Sequence, residues 1–162
     1  MSKLDLLKLL EHSYSESERV TLKLRHREVK SGLWRELHPK GFVKLTDTTY
    51  VEEYNGARYF VHLHKFCGAT HFRIHSGIEP LGNDSKVRVL NGPNSDSWLT
   101  YDERIDLLGY GLSPESVASC LSGMLRFIAE VYSPWRNAPD SRAELAKVIA
   151  WNAQCSENKK MD

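Results

Sequence analysis

"TTYVEEYNGARYFVHLH", residues 48–64, decides the fold. Asn55 and Gly56 supply the two positive-φ positions of a type I′ turn, the tightest way to join two antiparallel strands. Such a turn pairs Tyr54 with Ala57 and so fixes the partners behind it. Glu53 faces Arg58, a favourable cross-strand pair, Val51 faces Phe60, Tyr50 faces Val61, and Thr48 faces Leu63, with Thr49 beside His62 and Asp47 beside His64.

Toward the C-terminus, "THFRIHS" (70–76) alternates in the same way and reads as a third strand that returns through Gly68. With Cys67 and Gly68 as a two-residue turn, His64 pairs with His71, Leu63 with Phe72, His62 with Arg73 and Val61 with Ile74. A four-residue loop shifts these partners but keeps every residue on its face. The pleat then sorts the side chains: Tyr50, Tyr59, Val61, Leu63, Phe72 and Ile74 form a core face. Asp47, Thr49, His62, His64, His71, Arg73 and His75 form the other, with Phe60 among them.

Toward the N-terminus, "RVTLKLRHREV" (19–29) alternates Val20, Leu22 and Leu24 with Thr21, Lys23, Arg25 and Arg27. That pattern predicts a half-buried strand whose cations join the polar face. Residues 31–41 then read as a connection, and "KVRVL" (86–90) as a fourth or edge strand. "SPESVASCLSGMLRFIAEVY" (113–132) predicts a helix, with Ser113 as N-cap, Pro114 at the first position and Glu115 in the first turn. Its stripe of Val117, Leu121, Met124, Ile128 and Val131 is expected to pack on the sheet. A short helix at 102–108, another starting at Asp140 or Ser141, and a short N-terminal helix over Leu4–Leu10 complete the reading. Strands followed by helices indicate an α+β fold: an antiparallel sheet of about four to five strands within residues 19–90, covered on one face by C-terminal helices. Residues 1–155 are expected to form a single domain and 156–162 a flexible tail.

A hydrophobic fraction of 41% against 27% charged is that of a folded chain and argues against disorder or low complexity. No run approaches the roughly 20 apolar residues of a membrane span. Cys67, Cys120 and Cys155 are odd in number and far apart, which suits reduced thiols in the cytoplasm. The net charge of +1 conceals an asymmetry, because Arg19–His75 holds eleven Lys or Arg against five Asp or Glu. A positive middle segment suits a polyanionic partner.

The candidate binding set is His62, His64, His71, Arg73 and His75, joined by Lys23, Arg25 and Arg27, with Phe60 placed for stacking. Trp98 and Trp135 are candidate surface anchors. His64, Cys67, His71 and Asp47 together offer imidazole, thiolate and carboxylate, the ligand types of zinc, although the chain has no CxxC pair and no HExxH. There is no GxSxG, and the Gly109, Gly111, Ser113 sequence lacks a P-loop lysine. These features lead to the expectation of a small cytoplasmic, non-enzymatic binding protein without a cofactor: an inhibitor, regulator or accessory factor. Its partner would be a nucleic acid or a nucleic-acid-handling protein complex. The alternative is a metal- or histidine-dependent hydrolase acting on a phosphoester.

Overall fold

The structure, a computed structural model, describes residues 14–65, 69–83 and 87–160. It opens with helix α1 (Glu16–Leu37), capped by the Ser15 side chain, which accepts from the Glu18 amide. A 3-10 turn (His38–Lys40) closes on Gly41, whose φ of 95° suits a residue without a β-carbon. Strands β1 (Val43–Thr46), β2 (Thr49–Tyr54), β3 (Ala57–Lys65) and β4 (Phe72–Pro80) follow, forming one antiparallel sheet in chain order. The C-terminal half holds α2 (Ser95–Trp98), α3 (Tyr101–Leu108), α4 (Pro114–Phe127), a wide π turn (Ile128–Tyr132), α5 (Ser133–Asn137) and α6 (Pro139–Asn158). The fold is α+β, as the strand and helix pattern predicts.

The tight turn is where the sequence places it, with Asn55 at φ 50° and Gly56 at 76°. The β2/β3 register follows: Tyr54 pairs with Ala57, Glu53 with Arg58, Val51 with Phe60, Tyr50 with Val61 and Thr49 with His62. Between β3 and β4 the partners sit two residues further on than a two-residue turn would give, so His64 pairs with Arg73 and His62 with His75. An even shift preserves the faces. Residues 66–68, where that turn was expected, lie outside the described residues.

Two expectations are corrected. Residues 19–29 are helical, because Leu22, Val29, Leu33 and Leu37 recur at helical spacing and are all buried, while Val20 and Leu24 face solvent. The sheet therefore begins at Val43. Val87–Leu90 form no strand, and the outer edge of β4 is satisfied instead by residues 91–95. There the Gly92 amide donates to the Ser76 carbonyl (3.0 Å), and the Asn91 side-chain amide both accepts from the Ile78 amide (2.9 Å) and donates to its carbonyl (3.1 Å). Ser95 Oγ accepts from the Ile74 amide at 3.0 Å. A side-chain amide thus stands in for a neighbouring strand and closes an edge that would otherwise invite pairing. Helix α6 runs to Asn158 and takes in the first three residues of the expected tail. The helix expected over Leu4–Leu10 lies outside the described residues.

The apolar face of the sheet carries Tyr50, Tyr59, Val61, Leu63, Phe72 and Ile74, all buried. Helix α1 lies on it: Trp34 stacks near Tyr50 with ring centroids 6.1 Å apart, and His26 stacks on Phe72 at 4.9 Å. Helix α4 packs beside α1, where Gly32 meets Leu121, and adds Cys120, Met124 and Phe127 to the same core. No helix among the described residues is long and apolar enough to cross a membrane.

Candidate polyanion interface

On the polar face of the sheet, β3 and β4 bring His62, His64 and His75 together, with ring centroids 6.5 Å apart for His62 and His75 and 6.2 Å for His64 and His75. Thr49 Oγ1 lies 2.9 Å from His62 Nδ1 and orients that ring. The cations of this face are already engaged. Arg73 pairs with Asp96 at 2.5 Å, and Arg104 pairs with the same carboxylate. Arg58 and Arg88 share Glu79, at 3.2 and 3.6 Å. Arg58 thus finds its carboxylate on β4 rather than at Glu53, which is exposed on β2.

Burial, reinforced by neighbouring cations and imidazoles, pulls His62 and His71 below the ordinary histidine value; burial also lowers His75, against the pull of Asp96. These rings are therefore neutral at pH 7 and add no charge to the face. Phe60 is fully buried, and its ring fills the space a β-carbon would need at Gly77, so it offers no open face for stacking. His71 sits apart, bridged to Gly109 with its ring against Tyr101. On this face His64 is exposed, whereas His62, Arg73 and His75 are half-buried.

The two expected tryptophan anchors are built into the structure. Trp98 is half-buried against Phe127 under the Arg126 guanidinium, and Trp135 packs on Tyr59 and Tyr132. Trp151, on α6, is the exposed one. Of the zinc candidates, Cys67 lies outside the described residues and Asp47 is exposed in the β1/β2 turn; His64 is on β3 and His71 precedes β4. Among the described residues no group of three or more His, Cys, Asp or Glu is arranged to hold a metal ion.

Lys23, Arg25 and Arg27 belong to α1, and the helix redistributes them. Arg25 turns inward, pairing with Glu28 at 2.9 Å and donating to the Leu112 carbonyl. Lys23 and Arg27 turn outward. With Arg19 and Lys30 they stand at i, i+4, i+8 and i+11, one stripe along the helix. Among the described residues, no ion pair engages any of these four. Two further lysines flank the row. Lys44 lies over the Trp34 ring at 5.7 Å, and Lys65 over Tyr110 at 5.8 Å.

No protein-family model, curated protein or solved structure matches this chain.

His26 registers the positive field beside this stripe. Half-buried between Phe72 and Tyr110, and facing Lys65 and Lys30, it is pulled down to about 4, by burial first and the two ammonium groups second. A histidine lowered in the folded state favours folding while it is neutral. Its contribution is complete above pH 6.5, is lost as pH falls toward about 4, and is constant below that. After discounting for partial exposure, the loss is roughly 2 to 3 kcal/mol. Urea titrations at pH 7 and pH 4.5 should show the wild type losing about that much more stability than His26→Gln. Equal losses in the two proteins would remove the assignment.

Proposed function

We propose that this chain is a small, non-enzymatic binding protein that engages nucleic acid through the outer face of α1. The observation that carries the reading is the inequality between the cations of the middle segment. Arg25, Arg58 and Arg73 are consumed by internal carboxylates, whereas Arg19, Lys23, Arg27 and Lys30 share one helix stripe with no such partner among the described residues. A row of unpaired cations raises the local potential, attracts a polyanion and releases counterions when it binds. Acidic residues of the same helix do not cancel the row. Glu16 and Glu18 lie in the first turn, where they favour the helix dipole, Glu28 is held by Arg25, and Glu36 lies beyond the end of the row, in the last turn of the helix. An accessory or inhibitory role within a nucleic-acid-handling complex is consistent with a domain that binds phosphate and performs no chemistry of its own.

Fluorescence anisotropy with labelled nucleic acid of mixed sequence tests this at low salt. The Lys23→Glu/Arg27→Glu protein should bind at least about tenfold more weakly than wild type with an unchanged melting temperature, because both side chains are exposed. His62→Ala/His75→Ala should bind as wild type does. A reversed pattern would return the site to the sheet face, and no binding by the wild-type protein would end the proposal.

A further inference from the structure

Resting on that reading, we infer that the ligand of α1 is double-helical nucleic acid, held by its sugar–phosphate backbone without regard to sequence. Proteins that hold single strands combine a cationic groove with open aromatic rings on which successive bases stack. Among the described residues, the rings along this stripe are covered. Trp34, the aromatic on the stripe itself, has Lys44 over its ring and Tyr50 stacked 19° from parallel. Tyr110 is buried beneath Lys65 and against Phe72. His26 is stacked on Phe72. Each lysine that covers a ring places an ammonium where a base would have to lie.

The stripe also has the shape for a rigid ligand. A cation recurs about every 6 Å along one α-helical segment, at a rise of about 1.5 Å per residue. The exposed residues interleaved with the row are Val20, Leu24 and Ser31, with no Asn or Gln to recognise adenine edges, which leaves Arg19 and Arg27 as the only forks able to reach a guanine edge and the row as a set of cations for phosphates. Contacts of this kind set orientation on a duplex and carry little sequence information.

The decisive measurement compares four labelled probes of equal length under matched salt: a 24-bp DNA duplex, a 24-bp RNA duplex, and one single strand of each. The expected result is that at least one duplex binds about tenfold or more tightly than its own single strand and is insensitive to shuffling of the sequence. The slope of log affinity against log salt should be about −3 to −4, as four neutralised phosphates require. Tighter binding of the DNA or of the RNA duplex identifies which helical form the stripe fits, and either supports the inference. Single strands that bind as tightly as duplexes, yet are still weakened by Lys23→Glu/Arg27→Glu, would overturn the inference while leaving the α1 interface in place. Failure of all four probes would remove both.

Discussion

Arg136→Ala should lower the free energy of unfolding by about 3 to 5 kcal/mol, read as a fall in the urea midpoint at pH 7. Glu52 explains the size. It projects from β2 onto the core face with its side chain 8% exposed, and it is held at the Oε1 atom by two donors, Arg136 Nη1 at 2.6 Å and the Tyr132 hydroxyl at 2.8 Å. Burial and the adjacent carboxylate hold the Tyr132 phenol well above its usual value, so it remains a donor throughout the physiological range. Removing the guanidinium would leave a carboxylate out of water with one neutral donor, and would strip the cation from the face of Tyr54, 4.5 Å from the ring centroid. Glu52→Leu combined with Arg136→Leu should cost less than the sum of the two single changes, since neither partner is then left alone. Additive losses would show that the pair is not coupled.

Gly123→Ala should be the second large effect, a loss of about 3 kcal/mol. Helix propensity alone gives the opposite sign, because alanine inside a helix is worth about 1 kcal/mol more than glycine. Packing decides the outcome. A β-carbon at Gly123 would overlap the carbonyl oxygen of Leu107, where α4 crosses α3, and backbone cannot move aside as a side chain can. Gly32, on α1, provides the contrast. Its β-carbon would meet only the Leu121 side-chain tip, at 3.0 Å, so Gly32→Ala should change stability far less. Thermal unfolding of the two variants side by side checks the ranking, and equal melting temperatures would contradict it.

Much of the sheet was legible because its determinants are local. Asn55 and Gly56 permit one tight turn, and a two-residue turn leaves no freedom in the pairing of β2 with β3. The same alternation sorted His62, His64, Arg73 and His75 from Leu63 and Ile74 even though the partners of β4 lay two residues further on. The start of α4 at Ser113 and Pro114 was equally local. The misreading of residues 19–29 has a physical origin as well. Three aliphatics at alternate positions, Val20, Leu22 and Leu24, satisfy a strand over five residues, and only the burial of Val29, Leu33 and Leu37 shows that the longer period holds.

The candidate interface was half visible. Composition pointed to a positive middle segment, and Lys23 and Arg27 were already among its candidates. Which of its cations stay available was not visible, because the neutralising carboxylates are remote in sequence: Asp96 for Arg73, and Glu79 for Arg58. By itself the sequence determined the turn, the register it enforces, the two faces of the pleat and the Ser113 cap of α4, all of which depend on steric limits and hydrogen bonds between near neighbours. Only the tertiary structure decided that α1 is a helix lying on the sheet, that burial lowers His62, His71 and His75, and that Arg19, Lys23, Arg27 and Lys30 share one stripe of α1 with no ion pair among the described residues. Those outcomes depend on burial and on Coulomb contacts between residues that the folded chain alone brings together.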